Sequence, residues 1–85
     1  MLKADGFDEA VIGFCQKWGS DDFVIVYDAK KMVQILIVRD DMTHEEAFEY
    51  FEHNIQGAYV GENTPIYMWE STIEGIEELA EHLDG

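Results

Sequence analysis

The sequence predicts a small α+β domain in which helices pack on a two-stranded sheet. Its 85 residues are enough for one domain only, so residues 1–85 are expected to fold as a single unit. With 47% hydrophobic and 13% aromatic residues, the chain is too apolar for a disordered segment. Apolar residues recur with helical spacing in four segments and form short β-branched runs in two others. The expected element order is therefore α-β-α-α-β-α.

An amphipathic helix is expected first, over about residues 7–18. Its apolar positions fall on one helical face, and Gly19 supplies the stop. These positions are Phe7, Ala10, Val11, Phe14 and Trp18. Cys15 lies beside them and is expected to be a buried structural thiol, because no His or basic residue adjoins it. As the only cysteine, it excludes an internal disulfide and any multi-cysteine metal site.

Residues 23–27 are β-branched and aromatic and are expected to form a strand that is buried on both faces. The next stretch, residues 32–38, would suit a second strand of a hairpin. A helix over this part of the chain is favoured, with Asp28 as its N-cap. The helix would place Met32, Ile35 and Leu36 on one face and Lys31 and Gln34 on the other.

A second helix is expected over residues 44–56, after a turn at Asp40 and Asp41. Thr43 and Glu46 have the spacing of a capping box. The expected inward-facing residues are Ala47, Phe48, Phe51 and Ile55, and the expected outer face carries Glu45, Glu49 and Glu52. After this helix, residues 58–60 form the helix exit or a short extended piece between Gly57 and Gly61.

Pro65 is expected to open a second strand over residues 66–69, because proline is tolerated at the first residue of a strand. Ser71 and Glu74 then suggest a second capping box. The last helix has an apolar stripe of Ile73, Ile76, Leu79, Ala80 and Leu83, and an acidic face of Glu74, Glu77, Glu78 and Glu81. These glutamates have no basic partner along the helix, so packing of the stripe must outweigh their repulsion. The sequence leaves open whether this helix docks on the core.

Several runs of the sequence resemble small proteins of unknown activity that tailed bacteriophages encode. The first is Asp-Gly-Phe-Asp-Glu-Ala-Val-Ile-Gly over residues 5–13. The others are residues 27–28, 35–36, 39–40, 42–43, 45–47, 49–52, 54–55, 57–62 and 64–65. The resemblance covers roughly residues 5–68 and supports the helix over residues 29–39. It implies a product that works in the cytoplasm of an infected bacterium, and it brings no family activity with it.

The acidic residues are concentrated in the second half of the chain. The net charge is −14, yet residues 1–39 hold all five bases and only six of the acids. Residues 40–85 hold thirteen acids and no Lys or Arg. Direct binding to nucleic acid or to an anionic membrane is therefore disfavoured, and a basic protein surface is the favoured partner. The acids also suit a shell that only keeps the protein soluble.

No catalytic or cofactor motif stands out. His53 follows Glu49 by four residues, but the Glu-x-x-His spacing of di-iron sites is absent. The glycines at 57 and 61 lack the Lys and Ser/Thr of a phosphate-binding loop. We therefore expect no enzyme, no cofactor and no metal site. Cytoplasmic residence is the default, because the sequence has neither a signal-peptide pattern nor a membrane-spanning apolar run.

The favoured function is that of a phage accessory protein that binds, and thereby inhibits, a host nucleic-acid-handling or defence protein. Rows of glutamate spaced three and four apart imitate the phosphates of nucleic acid. The expected partner-binding residues are Glu45, Glu49, Glu52, Trp69, Glu74, Glu77, Glu78 and Glu81. The alternatives are a self-assembling or virion-associated structural protein, which includes a homodimer, and a surface that collects divalent cations. Tyr50, Tyr59 and Tyr67 are expected to pack in the core, and Trp69 is the strongest interface candidate.

Overall fold

A three-stranded sheet organises the fold in the computed structural model of the chain. The structure describes residues 2–16, 18–19, 22–58, 61 and 63–84. Strand β1 spans Val11–Gln16, β2 spans Phe23–Asp28 and β3 spans Ile66–Met68. The sheet order is β1-β2-β3, with β1 antiparallel and β3 parallel to β2. The α+β class is confirmed, and the sheet has one strand more than the sequence predicted.

The described residues also form three α-helices. Helix α1 spans Ala29–Arg39, α2 spans His44–Tyr50 and α3 spans Ile73–Asp84. A 3-10 helix, Asp8–Ala10, precedes β1, and a π-helical segment, Phe51–Gln56, continues α2. The observed order of strands and α-helices is therefore β-β-α-α-β-α. It differs from the expected order only in the first element.

The helix expected over residues 7–18 is wrong, because half of this segment is strand β1. Its backbone pairs with β2 from Gln16 opposite Phe23 to Val11 opposite Tyr27, with a bulge between Val11 and Gly13. Val, Ile, Phe and Cys side chains suit an extended backbone. The pairing with a distant strand therefore overrides the helical spacing of the apolar residues, which is a local signal.

The exposure of this segment also differs from the expectation. Phe7 and Ala10 are buried as predicted. Phe14 is 66% exposed, however, and Trp18 is fully exposed near the tip of the β1-β2 hairpin. Cys15 is an exposed thiol on β1 and not the buried thiol that the sequence suggested. The error has the same cause, since a strand at the edge of a sheet leaves side chains open that a core helix would have buried.

Strand β2 and helix α1 confirm two predictions for the centre of the chain. The four residues from Val24 to Tyr27 are all buried, whereas Phe23, which was also expected to be buried, is 42% exposed. The Asp28 side chain caps α1, because its Oδ1 accepts the Lys31 backbone N–H at 3.2 Å. Met32 and Leu36 are buried on the inner face of the helix. The strand alternative for residues 32–38 is therefore excluded.

Helix α2 begins at the predicted capping box, since Thr43 and Glu46 exchange hydrogen bonds between side chain and backbone. Its continuation is π-helical, with the Gly57 N–H donating to the Glu52 carbonyl at 2.9 Å. A Cβ at position 57 would lie 2.9 Å from that carbonyl oxygen, so the helix exit requires glycine here. The helix expected over residues 44–56 is confirmed in extent, with a wider final turn.

Aromatic rings join the sheet to α2 in the core. Tyr27 is fully buried and stacks on Tyr67 at 5.9 Å, and its hydroxyl accepts the Ala4 N–H at 2.8 Å. Phe51 is also fully buried and meets the Tyr67 ring edge-on at 5.5 Å. Tyr67 lies on β3, which follows Pro65 as predicted. The π-helical segment is thereby packed against β3.

The remaining aromatic predictions have different outcomes. Tyr67 packs in the core as expected, whereas Tyr50 is 42% exposed. Tyr59 lies outside the described residues, as does part of the extended piece expected at residues 58–60. Phe48, expected to face inward, is 37% exposed.

Candidate functional site

The outer face of α2 and its continuation is acidic. Glu45, Glu49 and Glu52 are exposed, as the sequence predicted. Glu46 is engaged in the capping box, where its Oε1 accepts the Thr43 N–H at 2.9 Å. This hydrogen bond lowers the pKa of Glu46, because it stabilises the carboxylate form. Glu46 therefore has a structural role, and the other three carboxylates remain available to a partner.

Helix α3 begins one residue later than the expected capping box requires. Thr72, and not Ser71, is its N-cap, because Thr72 Oγ1 accepts the Gly75 N–H at 3.1 Å and the Thr72 carbonyl accepts the Ile76 N–H at 3.0 Å. The predicted box of Ser71 and Glu74 is therefore wrong. Ser71 and Thr72 could each cap the helix through a hydroxyl group, and the helical backbone begins directly after Thr72. Glu74 is then free of a capping role.

Four glutamates form an exposed acidic row along α3. Glu74, Glu77, Glu78 and Glu81 are all exposed. Their spacing of three and four residues places them on one side of the helix. At about 1.5 Å of rise per residue the row extends over about 10 Å of helix axis. Glu45, Glu46, Glu49 and Glu52 give α2 and its continuation the same number of glutamates over the same length, but Glu46 is engaged in the capping box.

The apolar stripe beside this row is largely uncovered. Ile73 is 63%, Ile76 52% and Leu79 58% exposed. In the described part of the chain, α3 has no extensive packing against another helix or strand. The sequence predicted the stripe and left open whether it packs on the core. The three apolar side chains are therefore site residues that the sequence reasoning missed, and the row of glutamates without bases is the signal that could have indicated them.

Trp69 connects α3 to α2. Its ring lies 5.8 Å from that of Phe48 and 5.6 Å from that of Phe51, and it remains 42% exposed. Phe51 is in the core and Phe48 is on the surface, so Trp69 is anchored on one side and open on the other. Trp69 precedes the start of α3 at Ile73 by four residues. The predicted site residues thus belong to two linked elements.

The basic side chains with ion pairs in the described chain lie in the other half of the sequence. Lys3 pairs with Asp8 at 3.3 Å and Arg39 pairs with Asp40 at 3.1 Å. Arg39 also donates to the Gly6 carbonyl at 2.7 Å. Within the described residues, none of the seven predicted partner-binding glutamates forms an ion pair. In the part of the chain that the structure describes, the charge of these glutamates is therefore not compensated by a base.

The surface next to α2 includes an open groove of about 360 Å³, lined in part by Glu49 and His53. These side chains are four residues apart and share the groove as the sequence suggested. Over the described part of the chain, however, there is no group of three or more His, Cys, Asp or Glu side chains that could hold a metal ion. Glu46 also lines the groove but is engaged in the capping box, and the arrangement falls short of a metal site.

The chain matches no family model, and neither a curated protein nor a solved structure is similar to it. Among the described helices, none is long and apolar enough to cross a membrane. The function is therefore inferred from the chain's own surface.

Proposed function

We propose that the protein is a non-enzymatic accessory protein that binds a basic, nucleic-acid-binding surface on another protein through α2 and α3. By occupying that surface it inhibits a host nucleic-acid-handling or defence protein. The resemblance to phage proteins suggests the cytoplasm of an infected bacterium as the place of action. Nucleic acid and membranes are not expected as direct partners, because the binding surface carries no Lys or Arg.

The acidic row of α3 is the observation that carries this proposal. Four carboxylates over about 10 Å of axis have a mean spacing of about 3.5 Å along the helix. One strand of DNA carries a phosphate for about every 3.4 Å of its axis. The row from Glu74 to Glu81 is exposed and lacks basic partners in the described chain, so it resembles a short length of phosphate backbone in charge density.

The apolar stripe of α3 indicates that the partner also has an apolar surface. A surface that recognised charge alone would gain nothing from Ile73, Ile76 and Leu79, which are all more than half exposed. An amphipathic helix with one free apolar face is a common ligand for a hydrophobic groove. The expected partner therefore has a groove with an apolar floor and a basic rim. Trp69, which precedes α3, would also contact this groove.

Two double variants test the proposal in a capture experiment from nuclease-treated bacterial lysate. Glu77→Gln with Glu78→Gln removes two charges from α3, whereas the control Asp5→Asn with Glu9→Gln removes two exposed charges from the N-terminal segment. We expect about a tenfold loss of bound nucleic-acid-binding protein for the α3 variant only, since exposed ion pairs contribute up to roughly 1 kcal/mol each. Quantitative mass spectrometry measures the retained protein.

The same capture is washed at low and at high salt. Exposed charges are screened over about 8 Å at physiological ionic strength, so high salt should release the partner. Equal retention by the two double variants, or retention that does not respond to salt, would contradict binding through the acidic surface.

A further inference from the structure

The outer edge of β1 is open and apolar. The sheet order places β1 at one edge, and within the described residues no strand pairs with its outer side. Its six residues, Val11–Gln16, include no charge and no proline. Proteins commonly protect such an edge with lysine, proline or a bulge, because its free backbone N–H and C=O groups pair readily with another strand. Here only the bulge between Val11 and Gly13 is present, which leaves residues 13–16 regular.

Aromatic side chains surround this edge. Phe14 lies opposite Ile25 in the sheet and therefore shares the face that carries the core. Its ring contacts Phe23 at 5.2 Å, and the two side chains are 66% and 42% exposed. Trp18 is fully exposed nearby in the sequence. The core face of the sheet thus continues as open aromatic surface toward β1.

The open area approaches what a stable dimer needs. With about 150–250 Å² for an aromatic side chain, the three rings expose roughly 300–500 Å². Val11 and Ile12, which are 42% and 50% exposed, add to this apolar surface. A standard protein interface buries about 800 Å² on each partner, and strand pairing would add backbone area to the side-chain area. The edge is therefore large enough for one specific partner strand.

The charge distribution favours a second copy of this chain as that partner. Residues 1–39 are nearly neutral, whereas residues 40–85 hold thirteen acids without a Lys or Arg. Contact through α3 would bring two acidic rows together, which is unfavourable. Contact through β1 joins the nearly neutral halves, and β3, which leads into α3, lies at the opposite edge of each sheet.

We propose that two copies of the chain pair antiparallel through β1 and form one continuous six-stranded sheet. A two-fold axis perpendicular to the sheet keeps the core faces of both copies on the same side. Centred on residue 14 or 15, this pairing places Phe14 next to its counterpart. Both registers also place the two Cys15 side chains on one face, as opposite or diagonal neighbours within about 8 Å. The α2 and α3 surfaces remain free, so the dimer does not depend on the proposed function.

Matched lysine substitutions and the native thiol test this dimer. Phe14→Lys puts a charge on the edge strand, and Val38→Lys makes the same kind of change at an 84% exposed site on α1. Light scattering should give twice the 9.8 kDa chain mass for the wild type and Val38→Lys, and the chain mass for Phe14→Lys. A short bismaleimide should cross-link Cys15 between copies in the wild type and in Val38→Lys.

Two results would overturn the proposal. One is a wild-type protein that stays monomeric across the micromolar range. The edge of β1 would then be exposed to solvent or pair with a strand of another protein. The other is a dimer that survives Phe14→Lys or fails to cross-link through Cys15, which would place the contact on another face. Circular dichroism of each variant checks that the fold is retained. If Phe14→Lys does not fold, cross-linking of the wild type through Cys15 tests the dimer.

Discussion

Replacing Phe51 with alanine is expected to destabilise the protein by about 3–5 kcal/mol. Phe51 is fully buried, and its ring meets those of Tyr67 at 5.5 Å and Trp69 at 5.6 Å, both edge-on. It therefore holds the π-helical segment, β3 and the start of α3 together. A domain of this size has a total stability of only about 4–13 kcal/mol, so the variant should lose a large fraction of it.

Chemical denaturation followed by tryptophan fluorescence measures this effect. Trp69 reports on the packing, because it contacts Phe51. Phe48→Ala is the control, since Phe48 also contacts Trp69 but is 37% exposed. Phe48→Ala should lower the free energy of unfolding by clearly less than Phe51→Ala does. A loss below about 1 kcal/mol for Phe51→Ala would show that this ring does not join the three elements.

Ile76→Asp is expected to weaken binding of the partner and to leave the stability of the fold nearly unchanged. Ile76 is 52% exposed on a helix without extensive packing, so the free energy of unfolding should change by no more than about 0.5 kcal/mol. In a complex, the new carboxylate would be buried against an apolar floor without a partner. Such burial costs at least about 2 kcal/mol, and we expect a loss of affinity of about 30-fold or more.

A charge-matched control distinguishes this effect from a change in net charge. Val38→Asp adds the same charge at an exposed position on α1 and should leave the capture of the partner unchanged. Denaturation curves and the capture assay are measured for both variants. Unfolding by Ile76→Asp would mean that the stripe is part of the core, and unchanged capture would mean that the stripe does not enter the interface.

Local signals predicted the central helices well. The cap at Asp28 and the box of Thr43 and Glu46 act through side chains within three residues of the helix start, so the sequence contains all the information they need. Burial of Met32 and Leu36 follows from the same helical period. The exposed acids of α2 and α3 were predicted for the same reason.

Features that depend on distant parts of the chain were not predictable in this way. Residues 11–16 have a spacing that fits a helix, yet their pairing with β2 makes them a strand. Whether the stripe of α3 is covered stayed open, because this depends on whether another element supplies a matching surface. The three-residue strand β3 was expected, but its place beside β2 and its parallel direction are tertiary properties.

Competition by DNA shows whether the partner is bound through its nucleic-acid-binding surface. A partner captured on the immobilised wild-type protein is challenged with a short DNA duplex at constant ionic strength, and buffer of the same ionic strength is the control. If α2 and α3 occupy a nucleic-acid-binding surface, the duplex should release the partner in proportion to its occupancy of that surface, while buffer alone should not. A partner that binds the duplex and this protein at the same time would contradict mimicry of nucleic acid by the acidic helices.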